Sequence, residues 1–484
     1  MPTNFNQLKP PLLWKHFEKI LAIPHCSGYE QAIGDYILSV AKANGLEGVK
    51  DKVKNVRVAK KASPGREKAT GVVLQAHLDM VCEKNSDTVH DFAKDPIQTE
   101  LKGDWLQAKG TTLGSDNGIG IAACLAAMED KDLVHGPLEF LFTVDEETGL
   151  TGANRLQPGF LKGKMLLNLD SEEIETFTIG CAGGADSEIF LPLKRKAHGP
   201  GPAQRLKVYG YRGGHSGLDI HQGRGNAIKL LARLLDQARR EFTFSLASIE
   251  GGNKHNAIPR EAWADLFVPA NKLQPLKAFF EKTFAEIKVE YQAVEKEAAF
   301  SFGPAPAKPS DVLTAASRDA FLNLLLALPH GVIAMHPEIH GLTETSTNLA
   351  IVRTGRKEAK IHCSSRSSIA SALESVRFVI RAVSELAGAR ITFLEGYPGW
   401  MPNLQSPLLK KLKEVHAKVV GKEAEIKAVH AGLECGIIGE KHPGMDMISF
   451  GPTIEHPHSP EERCNVKTVE EFWTFLTAAL RDLA

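Results

Sequence analysis

Three short runs early in the chain are apolar almost without a break, and each ends in acidic or imidazole groups: GVVLQAHLDM (71–80), PLEFLFTVDEE (137–147) and KMLLNLD (164–170). A strand with one wet face alternates polar and apolar residues. Runs this uniform therefore predict strands buried on both faces, as in a parallel sheet covered by helices. Between the first two lies TTLGSDNGIGIAACLAAMED (111–130), an Ala-rich apolar stretch that predicts a helix with Asp116 as its N-cap. The resulting strand–helix–strand rhythm predicts an α/β fold.

At 484 residues the chain exceeds the size at which a single core stops growing, so two domains are expected. The texture changes near residue 187. There LPLKRKAHGPGPAQ (191–204) precedes a strand-like RLKVYGYRGG and a helical NAIKLLARLLDQARREF. A second punctuated stretch, EGYPGWMPNLQSP (395–407), leads into a helical SPLLKKLKEVHAKVV and an apolar MDMISFGP (445–452). These breaks predict one domain built from 1–186 and 396–484, with 187–395 inserted into it.

Composition narrows the partners. Lys plus Arg and Asp plus Glu both number 58, a formal net charge of +0, which supplies no field to draw in nucleic acid or an anionic membrane. No 18-residue window is uncharged and apolar, and the N-terminus lacks a basic start followed by an apolar stretch, so a soluble, cytoplasmic protein is expected. The seven cysteines, odd in number and without a CxxC pair, predict reduced thiols.

The chemistry concentrates at strand ends. His77 and Asp79 close the first apolar run, Glu146 and Glu147 the second, and Asp170 the third. Ligands of open parallel sheets bind at the carboxyl edge, so one feature of the fold brings all five together. A single strand-end carboxylate is ordinarily a cap or a solvated group, and a single histidine a satisfied core or surface residue. Five together, if buried, need a cation to offset their charge. Imidazole and carboxylate donors without thiolate suit zinc, manganese or cobalt and disfavour calcium or magnesium, with zinc the first choice. GSDNGIG lacks the lysine and placement of a phosphate-binding loop, and GGHSG lacks the pattern of a nucleophile elbow.

The motifs AHLDM (76–80), GTTLGSDNGIG (110–120), DEETG (145–149), NLDSEE (168–173), GGHSG (213–217), NAIPRE (256–261), HAGLECG (430–436) and GPTIEHPHSPEE (451–462) extend this reading. In type, order and spacing they resemble the co-catalytic zinc metallopeptidase family that includes the carnosinases and aminoacyl-histidine dipeptidases. The resemblance implies a catalytic domain with a mixed sheet flanked by helices, like the zinc aminopeptidases, in 1–186 and 396–484. It also implies an inserted α+β lid and dimerisation domain in 187–395.

The resemblance further implies two divalent ions, one held by His77 and Asp170, the other by Glu147 and His458, with Asp116 bridging them. The Asp116–Asn117 peptide would be cis. Asp79 would orient His77 without touching metal, and Glu146 would be the general base. His215 would stabilise the oxyanion, in cis or from a partner subunit. Asn256 would contact substrate and Arg366 would take its terminal carboxylate, with turn formation and a surface ion pair as the respective alternatives. Gly432 and Glu434 would line the substrate pocket. The implied activity is hydrolysis of unblocked dipeptides, among them Xaa-His substrates, by a homodimer that binds neither nucleic acid nor membrane. An acyl-amino-acid amidohydrolase shares the same core, and a catalytically silent scaffold on this fold would be expected to have lost Glu146 or a ligand.

Overall fold

The computed structural model describes residues 3–199 and 201–484, so the 191–204 stretch is described apart from position 200. Contacts divide the chain into two compact units, residues 1–180, 400–428 and 433–484 in the first and 181–399 and 429–432 in the second. The first break falls at 180/181 because the next strand, Gly183–Pro192, pairs with Glu358–Ser367 and Arg390–Phe393 of the second unit.

In the first unit the apolar runs form the centre of an eight-stranded mixed sheet. Leu138–Thr143, Val72–His77, Met165–Asn168 and Asp446–Ser449 lie side by side in that order, all parallel. Val72–His77 and Leu138–Thr143 are buried at every position, as expected of strands covered on both faces. Val56–Lys60 joins Leu138–Thr143 antiparallel and Glu47–Lys50 adds outside it. The helix Ser115–Glu129 packs on Val72–His77, Gln31–Ala43 on Val56–Lys60, and Pro407–Val420 on Asp446–Ser449. The 445–452 run thus joins the 164–170 run across nearly three hundred residues of sequence, and its end reaches the same sheet edge.

The second unit is built on a nine-stranded sheet whose paired strands run antiparallel. The helix Ala227–Glu241 is capped by Asn226, whose side chain accepts from the amides of Ile228 and Lys229. It packs on the strands Ala203–Tyr209 and Ala262–Phe267, burying Leu230, Leu231, Leu234 and Leu235. No helix among the described residues is long and apolar enough to cross a membrane.

One expectation fails here. Cys26 and Cys82 are joined in a disulfide, with Cα atoms 5.7 Å apart. The reason is tertiary: Cys26 bridges in parallel to Met80, which lays two segments far apart in sequence beside each other. Spacing along the chain carries no trace of it.

Leu74 lies mid-strand in Val72–His77 and is fully buried. Leu74→Ala should cost about 2–5 kcal/mol in chemical denaturation, through lost transfer energy and the cavity left behind. Leu386→Ala, at a position 89% exposed, should stay within about 0.5 kcal/mol of wild type.

Candidate metal centre

At the carboxyl edge of the central strands the two oxygens of Asp116 point to different imidazoles. Oδ1 lies 3.0 Å from His77 Nε2 and Oδ2 lies 3.1 Å from His458 Nε2. Asp170 Oδ1 stands 3.3 Å from His77 Nε2, and Glu147 Oε2 stands 3.1 Å from His458 Nε2. The five side chains therefore form two donor groups, His77–Asp116–Asp170 and Asp116–Glu147–His458, that share Asp116.

Asp116 does not cap its helix. Its φ of −84° and ψ of 109° are non-helical, and its peptide bond to Asn117 is cis, as the resemblance implied. The N–H groups at this helix start are met instead by Glu462. Its Oε2 accepts from the amides of Leu113 (2.8 Å) and Gly114 (3.0 Å), and its Oε1 from the Ser115 amide (2.8 Å) and hydroxyl (2.6 Å) and the Asp116 amide (3.3 Å). With that cradle in place the Asp116 carboxylate turns to the imidazoles. Glu462 was not singled out from sequence, where it reads as one of two acids in a polar turn.

Asp79 works in the same way one layer back. Its carboxylate accepts from the amides of Glu146 (3.0 Å) and Glu147 (3.2 Å) and from the Ser27 hydroxyl (2.7 Å), and it lies 3.5 Å from His77 Nδ1. His77 Nδ1 also contacts the Asp79 carbonyl at 2.9 Å. One carboxylate thereby fixes both the imidazole and the backbone of the two glutamates. The turn that presents them is tight: Asp145 has a φ of 53° and Leu150 one of 52°, and His458 has one of 60°. Left-handed conformations are uncommon for such residues and persist where surrounding structure holds them.

The charges depend on one another. Burial opposes ionisation of Asp116, but hydrogen bonds to His458 and His77 hold its pKa well below the usual carboxylate range. In return, hydrogen bonds to Asp116 and Glu147 raise His458 to about 11. Burial also opposes protonation of His77, and Asp170, Asp116 and Asp79 together outweigh it and raise its pKa. Several other buried carboxylates shift upward, Asp170 among them although His77 opposes it. Burial, with Asp170, Glu434 and Glu147 nearby, pushes Glu146 well above its ordinary value, and burial beside Asp116 and Asp170 lifts Glu172 to about 8. Glu172 is a second group the sequence reading did not single out.

The residues present fit divalent ions. The donors are the imidazole and carboxylate types that transition ions take, and Glu147 Oε1 is buried with no hydrogen-bond partner. Glu434 is fully buried, its Oε2 accepting from Gln75 (2.7 Å) and Thr143 (2.6 Å), while its Oε1 has no partner. Burial raises its pKa to about 7.

The remaining candidates lie in the second unit. His215 Nδ1 accepts from the amides of Gly217 (3.2 Å) and Leu218 (3.0 Å), so its proton sits on Nε2. Burial and the charge of Arg366 lower its pKa to about 4 and keep the ring neutral. Arg366 is 7% exposed, and Nη1 donates to the Tyr397 hydroxyl at 2.8 Å while Nε has no partner. A Cβ on Gly432 would come within 2.7 Å of the Tyr397 ring, so only glycine fits that approach. Asn256 is exposed, and its carbonyl accepts from the Ser216 amide at 2.8 Å.

A helix-flanked mixed sheet carries at its edge two donor groups suited to divalent ions. The chain belongs to peptidase family M20/M25/M40, whose sequence profile matches residues 73–482. It is 44% identical over 483 residues, 99% of each chain, to the cytosol non-specific dipeptidase of Escherichia coli (strain K12). It superposes with a TM-score of 0.92 and 42% identity on the aminoacylhistidine dipeptidase of Vibrio alginolyticus, covering 99% of this chain and 98% of that one. An aminopeptidase from Bacillus cereus shares the fold at a TM-score of 0.58 and 14% identity, over 98% of this chain and 99% of that one.

Glu462→Gln would set an amide NH2 against backbone N–H groups. It should destabilise the protein by about 2 kcal/mol or more in chemical denaturation and reduce the divalent metal retained after dialysis. Glu461→Gln, at the exposed neighbour, should change neither.

Proposed function

We propose that this protein hydrolyses unblocked dipeptides, Xaa-His substrates such as carnosine-like β-alanyl-histidine among them, using two divalent ions. Zinc is the first choice, and manganese or cobalt would suit the same donors. The observation that carries the reading is the division of Asp116 between two imidazoles, each accompanied by a further carboxylate. The extent of the likeness to the Escherichia coli and Vibrio dipeptidases supports the substrate class.

His77 and Asp170 would hold one ion and Glu147 and His458 the other, with Asp116 common to both. Ions bound there polarise the scissile carbonyl and acidify the attacking water. Glu146 belongs to neither donor pair yet stands beside His77 and Glu147, where a carboxylate can take the water's proton and pass it to the leaving amine. Asp79 keeps Glu146 and Glu147 apart in role by anchoring both amides. Neutral His215, with its proton on Nε2, is prepared to donate to a developing oxyanion.

Buried Arg366, which donates to the neutral phenol of Tyr397 and keeps its Nε without a partner, is suited to a substrate's terminal carboxylate. Glu434 Oε1 offers an acceptor for the free amine, and Asn256 and Gly432 complete the substrate-binding set. In this reading 1–186 and 396–484 form the catalytic domain and 187–395 the lid, through which a homodimer forms. A cytoplasmic setting accords with the name of the Escherichia coli relative.

Glu146→Gln should retain fold and two ions per chain, measured by mass spectrometry, yet lose about 10²–10⁴ in kcat. Near-normal turnover in that variant would remove Glu146 from the chemistry. If Arg366 grips a terminal carboxylate, amidating a dipeptide's C-terminus should lower kcat/KM at least about tenfold, the worth of a charged hydrogen bond. Arg366→Ala should erase most of that preference, and wild type treating acid and amide alike would dismiss the clamp.

A further inference from the structure

Away from Asp116, one further group in the second unit combines imidazole and carboxylate donors. The strands Gly183–Pro192 and Glu358–Ser367 pair so that Asp186 faces Ser364 and Glu188 faces His362. Residues two apart on a strand share a face, so all four project from one side of the sheet. His362 Nε2 lies 2.9 Å from Asp186 Oδ2. His255, in the loop after the strand Ser245–Gly251, brings its Nδ1 to 3.0 Å from the same oxygen. The three residues each offer a ligand atom within 4.8 Å of the others.

We propose that Asp186, His255 and His362 bind a divalent transition ion of the zinc type, additional to the pair proposed at Asp116 and independent of it. Two imidazoles and a carboxylate are a zinc donor set. Donors held at about 2.0–2.2 Å from a tetrahedral ion stand roughly 3.3–3.5 Å from one another, and the contacts seen fall a few tenths of an ångström short of that. The other nitrogen of His362 faces Glu188 at 3.8 Å, beyond hydrogen-bond reach, and Lys360 holds that carboxylate at 2.6 Å. His255 is 57% exposed, which leaves an entry path and an open coordination position.

The competing arrangement is two imidazole N–H groups donating to one carboxylate oxygen, with the ring centroids 6.0 Å apart. A divalent ion replaces both hydrogens and lets the two rings converge on it.

Such an ion would tie two parts of the second unit together. The loop that carries His255 continues into Asn256 and Ala257, which pair with Ser216 and His215. The strand that carries His362 also carries Arg366. Binding would therefore brace the segments that present His215 and Arg366.

The test uses the full-length protein, stripped by chelator, reloaded with excess zinc and freed of unbound ion by gel filtration. Zinc per chain is then compared between wild type, His255→Ala and His362→Gln. Wild type should carry one ion per chain more than either variant, whatever the Asp116 pair retains, because the comparison reads a difference. Equal zinc in wild type and folded His255→Ala overturns the proposal and leaves an imidazolium–carboxylate contact only. Should the variants misfold, an anomalous difference map of zinc-loaded wild-type crystals decides. A peak among Asp186, His255 and His362 supports the site, and a map without one overturns it.

Discussion

Asp116 is held ionised where burial works against it, and its two oxygens point in two directions, each to an imidazole. The groups around it account for both. The imidazoles of His77 and His458 supply the compensating positive charge, and Glu462 takes up the amides that would otherwise claim the carboxylate. Elsewhere burial prevails: Glu146, Glu172 and Glu434 all move towards protonation, although His77 or His458 opposes the shift. A site with this many buried acids is stable either by taking up protons or by taking up cations, and its donors converge in the spacing that cations use.

Rigidity comes from beneath the site. The strands Val72–His77 and Met165–Asn168 are apolar except for Gln75, Asn168 and the strand-end His77, and Gln75 and Asn168 are tied into one buried network. Gln75 donates to Glu434 and Thr143 and accepts from Asn168, which in turn accepts from Ser449. Strand register here is held by hydrogen-bonded polar groups as well as by packing, so the residues two positions further along, His77 and Asp170, are presented from a fixed edge.

The second unit follows the opposite logic. Its sheet is antiparallel, and polar residues project from one face at every second position, which is how Asp186, Glu188, His362 and Ser364 come together. Its candidate groups are met by neutral partners. Backbone amides fix the His215 tautomer, and the Tyr397 phenol accepts from buried Arg366.

The apolar period of the early runs, and the acids and imidazoles at their ends, already contained the α/β class, the buried central strands and most of the candidate donors. These are local properties, set by side-chain type and spacing. What joined Asp116 to His458 was family resemblance, since no periodicity relates residues 342 positions apart; in space the sheet does it, by laying Asp446–Ser449 beside Met165–Asn168. The same holds where the sequence reading fell short. Asp116 looked like a helix cap because its true competitor for those amides, Glu462, stands 346 residues away. Cys26 and Cys82 looked like separate thiols until a bridge between distant segments set them side by side. His255, His362 and Asp186 drew no notice, because an antiparallel pairing and a loop crossing bring their donor atoms together. Donor chemistry is written in single residues, whereas convergence depends on the order of strands in a sheet, which only the packing of the whole chain decides.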